Sequence, residues 1–200
     1  MTFNLYTIGH SIHTIEKFIE LLLMHSINTV CDVRSSPYSK FNPQFNRELL
    51  KDELIKNNIS YVFLGKELGP RSDDINCYKD GKVQYAKLAK TDIFNQGLNR
   101  LKEGMKKYQI ALMCSEKDPA ECHRTILICR YLKSEQIEIK HILEDGSIEL
   151  NNELENRIIR KLRKKLPIEL LDTKEDVIQR AYDLQGERIA YVANKNSEDL

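Results

Sequence analysis

The chain carries no surplus of either charge: 31 lysines and arginines face 30 aspartates and glutamates, a formal net charge of +1. That excludes a molecule whose overall field gathers nucleic acid or membrane, so any anion site has to be a local arrangement of side chains. No apolar run approaches transmembrane length, and the first residues enter a strand pattern without the basic and apolar regions of a signal peptide. The expectation is a soluble, cytoplasmic protein with no membrane partner. Cysteine is scarce and odd in number, five at irregular spacings, which excludes a disulfide framework. Packing, metal or chemistry must account for each thiol. Internal repeats and low-complexity tracts are also missing.

What is present is a chain of 200 residues, 41% of them hydrophobic, enough to bury a real core. Apolar runs of strand character at Leu5 to Ile8, Thr29 to Cys31, Ile59 to Leu64, Ile110 to Met113 and Ile137 to Ile142 alternate with helical periodicity. Thr14 reads as the N-cap of a first helix with Ile15, Phe18, Ile19, Leu22 and Leu23 on its buried face. Asn42-Pro43 reads as the start of a second, with Phe45, Leu49, Leu50 and Leu54 inward. Gly65 to Gly81, with three glycines and a proline, reads as a long exposed loop of the kind that closes over a site. Residues from about Val83 to Lys107 read as one or two helices. Asp118-Pro119-Ala120-Glu121 has capping-box spacing and predicts a helix to about Lys133. The fold class is therefore α/β: a three-layer sandwich around a mainly parallel sheet of about five strands. Past Gly146 the composition turns charged, which divides the chain into an α/β domain over 1–146 and a helical C-terminal extension over 147–200. That extension includes a basic helix around Arg157 to Lys165 and is expected to pack on or beside the domain.

Nearly every unusual polar residue falls just past the carboxyl end of a strand run, where ligands bind in open α/β sheets. Gly9-His10-Ser11, Asp32-Val33-Arg34 and Cys114-Ser115-Glu116 occupy three such positions, and Cys122-His123-Arg124 opens the following helical stretch. His10, Asp32, Glu116 and His123 are candidates for acid/base work, and Cys114 for a nucleophilic thiol. Ser11, Arg34, Tyr38, Arg71 and Arg124 are candidates for holding an anionic substrate. Alternatively, Asp32 and Arg34 form a structural ion pair, Ser11 caps the first helix and the cysteines fill the core. Cys114, Cys122 and His123 could ligate zinc, with a fourth ligand from His10 or His141, although the spacing matches no compact zinc pattern.

Tyr6-Thr-Ile-Gly-His-Ser11, Asp32-Val-Arg-Ser-Ser-Pro-Tyr38, Phe41-Asn-Pro-Gln-Phe45, Leu68-Gly-Pro-Arg71, Leu112-Met-Cys-Ser-Glu116 and Cys122-His-Arg124 with His141-Ile142 run in order along the chain. Together they resemble the bacterial and archaeal family catalogued as domain of unknown function 488, over residue 6 to about 146. Pro70 stands where the family typically has a second glycine, leaving Arg71 in register. The resemblance implies a common α/β fold and a shared polar site, without an activity.

Two enzyme classes and one binding class follow. The first is a hydrolase or transferase acting on a phosphate-bearing substrate, a nucleotide or nucleic acid, through the strand-end residues. The second is cysteine-dependent phosphatase or sulfurtransferase chemistry at Cys114. The third is a module that binds a nucleotide, metal or protein without turnover.

Overall fold

A computed structural model describes residues 2–134, 136–167 and 169–193. Its centre is a six-stranded sheet in the order β3-β2-β6-β1-β7-β8. The strands are β1 (Phe3–Gly9), β2 (Thr29–Asp32), β3 (Ser60–Phe63), β6 (Ile110–Cys114), β7 (Ile137–Ile142) and β8 (Ile148–Leu150). All neighbours pair in parallel except β7 with β8. The sixth strand is short and antiparallel, which is why it carries no run long enough to stand out in the sequence.

Side-chain alternation divides the core into two layers. Leu5, Cys31, Ile110, Leu112, Cys114 and Ile139 face one layer; Tyr6, Ile8, Val30, Ala111, Met113 and Ile142 face the other. The second layer is filled by α1 (Ile15–Met24) and α2 (Arg47–Lys56). The first is filled by α5 (Asp92–Met105), a π-helix (Arg124–Cys129), α7 (Asn151–Leu162) and α8 (Lys174–Ile189).

Several local expectations shift. Helix α1 starts after the Thr14 cap, but Leu21 rather than Leu23 is buried beside Phe18, Ile19 and Leu22; Leu23 is exposed. Pro43–Phe45 forms a 3-10 turn that ends at an extended Asn46, so α2 restarts out of phase with it and Leu49 points to solvent. The segment from Gly65 to Gly81 is not a free loop. It contains α3 (Gly65–Leu68) and β4 (Tyr78–Lys79), which forms a hairpin with β5 (Lys82–Val83) just beyond it, and is anchored by buried Leu68 and Cys77. Between β5 and β6, the short α4 (Tyr85–Leu88) precedes α5, where Thr91 accepts from Phe94 N as the N-cap.

After β6 the expected helix does not open at Pro119. Asp118 accepts from Ala120 N, but Glu121 pairs with Lys161 instead of closing a capping box. Pro119–Glu121 is a 3-10 turn, Cys122 is extended (φ −128°, ψ 139°), and helical backbone resumes as the π-helix and the brief α6 (Arg130–Leu132). Residue 146 falls in the turn between β7 and β8, where Gly146 adopts φ +88°. Beyond it, Leu154, Ile158, Leu162, Ile178 and Tyr182 belong to the same apolar cluster as the central strands. In the basic stretch, Arg157 bridges Asp118 and Glu149, and Lys161 pairs with Glu121. No helix among the described residues is long and apolar enough to cross a membrane.

Candidate functional site

Strands β1 and β6 lie side by side, yet the chain leaves β1 towards α1 in one layer and leaves β6 towards the π-helix in the other. Diverging connections at adjacent parallel strands open the crevice where α/β proteins place ligands. The two segments stay paired just past their strands: His10 N donates to Cys114 O (2.9 Å) and Ser11 N to Ser115 O (3.0 Å). Residues 116 and 117 then fold back over Gly9. A β-carbon there would meet Glu116 O at 2.0 Å, so only glycine admits the crossing.

On the α1/α2 side, Arg34 and Asp32 form a buried, two-pronged ion pair (Nε to Oδ1, 2.9 Å; Nη2 to Oδ2, 2.7 Å). Tyr61 OH also donates to Asp32 (2.8 Å), and Arg34 donates to Phe45 O (2.9 Å) and to His10 Nε2 (3.2 Å). A carbonyl can only accept, so the bond between His10 Nδ1 and Ser11 O (3.0 Å) places the ring proton on Nδ1. Burial, followed by the Arg34 charge, lowers the His10 pKa to about 4, and the ring is a neutral imidazole stacked on Phe45 at neutral pH. Arg34 and His10 thus spend their polar atoms chiefly on each other and on Asp32, the structural alternative for this pair.

On the π-helix side four chemically reactive groups converge. Glu116 Oε2 accepts from Cys114 Sγ (2.8 Å) and Cys122 Sγ (3.0 Å). His123 Nδ1 lies 3.6 Å from Cys114 Sγ and 3.8 Å from Cys122 Sγ. The ligand-capable atoms of all four side chains lie within 4.8 Å of one another. Desolvation alone would raise the Glu116 pKa, but the two thiol hydrogen bonds outweigh it and, with a backbone bond and the nearby His123, hold it down at about 2. Cys114, Cys122 and His123 are buried, whereas Glu116 opens to solvent.

The remaining candidates separate. Arg124 is fully buried and does not face the crevice: it donates to Glu116 O (2.6 Å), Lys117 O (3.2 Å) and Thr7 Oγ1 (3.3 Å), clamping the loop that carries Glu116. His141 stands on the far side of β1, between Thr7 Oγ1 (2.9 Å) and Asn151 Oδ1 (3.2 Å), and His10 is held by Arg34. The fourth group beside Cys114, Cys122 and His123 is therefore Glu116, in place of either histidine. Ser11 takes a left-handed backbone (φ 48°) and leaves the cap of α1 to Thr14. Tyr38 is exposed in the loop after β2. Arg71 stacks on Tyr191, and its amide donates to Ser35 Oγ. Ser35, Lys66 and Arg71 border a cleft of about 420 Å³ beside the end of β2, facing Glu67, Asp73, Asp74 and Asp92. A larger cavity of about 670 Å³ beyond β7 is walled by Asp118, Glu144, Asp145 and Glu149, with Arg157 already paired. Gly9 suits a tight turn by its sequence position, but its place under the Glu116 loop, the bond of Tyr61 to Asp32 and the contacts of Thr7 depend on what lies across the sheet.

A family model described as "Domain of unknown function DUF488" matches residues 14–131. The matched stretch holds Asp32, Arg34, Tyr38, Arg71 and the whole run from Cys114 to Arg124, and stops short of His10 and Ser11. No curated protein and no solved structure matches the chain.

Proposed function

The chain belongs to the domain of unknown function 488 family, a membership that brings no activity with it, and from its site we propose an enzyme: a hydrolase or transferase working at the crevice between β1 and β6 on a phosphate-bearing substrate, a nucleotide or nucleic acid. The observation that carries this reading is the cluster of Cys114, Glu116 and His123 at the topological switch point of the sheet, with the Asp32–Arg34–His10 network on the other face of the same edge. Glu116 is the base of this reading, a carboxylate that the two thiol hydrogen bonds hold ionised and that opens to solvent at one edge of a buried polar cluster. Because Arg34 and Arg124 are spent on internal partners, the cations left for a phosphate are Lys66 and Arg71, at a cleft beside Ser35 whose wall also carries Glu67, Asp73, Asp74 and Asp92. Tyr38, exposed in the same loop region, supplies an aromatic face for a base.

Thiol-dependent phosphoryl or sulfur transfer draws less support. Cys114 donates to a carboxylate that would repel an incoming anion, and the next element is a 3-10 turn rather than a helix whose first amides point at the sulfur.

The binding step is tested by thermal stabilisation of the full chain, in the presence of chelator, with nucleotides, short oligonucleotides and inorganic phosphate. A rise in Tm of several degrees with a nucleotide or oligonucleotide, abolished in a Lys66→Ala/Arg71→Ala double variant, is expected. No response to any phosphate ligand overturns the substrate class. If a turnover assay is found from that panel, Glu116→Gln should lower the rate about 10²–10⁴-fold.

A further inference from the structure

Two thiols, an imidazole and a carboxylate whose ligand-capable atoms lie within 4.8 Å of one another make a soft four-donor set, and we propose that Cys114, Cys122, His123 and Glu116 form a binding site for one divalent transition-metal ion of the zinc class. The proposal needs no substrate; with an ion bound Glu116 is a ligand and not a free base, so the phosphate reading is tested separately, on the metal-free chain.

The distances fit the ion. Zinc bonds of about 2.0–2.3 Å in a tetrahedron separate sulfur from nitrogen by roughly 3.5 Å and sulfur from sulfur by roughly 3.8 Å. His123 Nδ1 already stands 3.6 Å and 3.8 Å from the two sulfurs. Glu116 Oε2 is closer, at 2.8 Å and 3.0 Å, because it accepts the two thiol protons. A cation releases those protons to solvent, two S–H bonds giving way to two metal–sulfur bonds, and the carboxylate becomes the fourth ligand after a shift of roughly half an ångström. Two soft sulfur donors favour zinc, cobalt or ferrous iron over magnesium or calcium.

The surroundings are arranged as ligand supports are. His123 Nε2 meets the carbonyl of Val33 at 3.0 Å; a carbonyl only accepts, so the proton is on Nε2 and the lone pair on Nδ1 points at the sulfurs. The loop carrying Glu116 is pinned by Arg124 from below and by its close passage over Gly9. Arg124 itself is a fully buried cation whose partners here are carbonyls and a hydroxyl. Two thiolates and a carboxylate around a divalent ion leave a single negative charge, which would balance it. Three ligands are buried and the fourth, Glu116, faces solvent, so the ion has a path of entry from the Glu116 side.

The test is metal analysis and cobalt(II) titration of the full chain. Expected are one zinc-class ion per chain after purification and, on replacement by cobalt, the intense near-ultraviolet thiolate-to-cobalt absorption with tetrahedral visible bands. Cys122→Ser should lose most of that absorption, and Glu116→Gln, which preserves side-chain shape, should weaken cobalt binding at least tenfold while far-ultraviolet circular dichroism stays unchanged. Cys77→Ala, at a buried cysteine outside the cluster, should behave as wild type. Absence of bound metal together with absence of a cobalt–thiolate band in wild type overturns the site, as does a band undiminished in both Cys122→Ser and Glu116→Gln. The nucleotide panel, run with chelator, reports on the phosphate reading independently of either result.

Discussion

Arg124 illustrates how a residue type can be noticed for the right reason and still be assigned the wrong partner. An arginine next to a histidine at the start of a helical stretch suggests an anion. In the folded chain its guanidinium lies wholly inside and donates to two carbonyls of the loop after β6 and to Thr7. Replacing it by Met removes a charge of similar length but leaves those carbonyls unpaired. Arg124→Met should therefore destabilise the protein by about 2–4 kcal/mol, measured by urea denaturation, and loosen the Glu116 loop. An exposed substrate-binding arginine would show almost no change in that measurement. Cys122 is buried in the same apolar cluster as Ile126 and Cys129, and the extended backbone at 122 in addition turns its sulfur to Glu116. At Cys129 burial pushes the thiol pKa up.

At the scale of elements, the π-helix from Arg124 to Cys129 is the least ordinary part of the chain. π-Helical backbone is uncommon and tends to occur where a site requires it. Here it follows directly on Cys122 and His123, and it leaves the buried Thr125 hydroxyl without a hydrogen-bond partner among the described residues. Removing an unsatisfied hydroxyl while keeping the side-chain shape relieves a desolvation penalty. Thr125→Val is expected to raise stability by about 1 kcal/mol, read as a higher denaturation midpoint with an unchanged m-value. A loss of stability would mean that the hydroxyl is satisfied. The helix start expected at Asp118 failed for a related reason: Glu121, the residue that would complete the box, is drawn to Lys161 on α7, and Asp118 to Arg157. Both partners are distant in sequence and outside the reach of local spacing.

For the molecule as a whole, buried histidines tie stability to pH. His141 lies between Thr7 and Asn151; burial, then the charge of Arg124, lowers its pKa to about 3, and His10 is lowered to about 4. Both folded values lie below the unfolded one, near 6.5, so as pH falls the unfolded chain takes up protons first. The stabilisation is complete above about pH 6.5 and is lost progressively as pH drops towards 4 and then 3. Two depressed histidines give a slope of up to about 2.7 kcal/mol per pH unit in that window. Denaturation between pH 7 and 5 should show a fall of about 3–4 kcal/mol, and His141→Gln should roughly halve the slope whatever it does to absolute stability. A flat profile would show that these rings are solvated. The same network extends past His141 through Asn151 to Glu155 and Tyr182, and so joins the central strands to α7 and α8.

By itself the sequence determined the α/β class, five of the six strands of the sheet and the carboxyl edge on which the unusual residues gather. All three depend on local periodicity and on the order of elements along the chain. Only the tertiary structure decided which residues on that edge meet. Side-chain alternation sends Cys114 to one face and Asp32 to the other, so one apparent constellation divides into an ion-pair network around Arg34 and a cluster of two thiols, a carboxylate and an imidazole. Glu116 as the hub of that cluster, Gly9 as the opening for its loop, and β8 with α7 and α8 as part of the common core depend on contacts between segments far apart in sequence. Such contacts come from the order and twist of strands, and no single stretch of the chain encodes them.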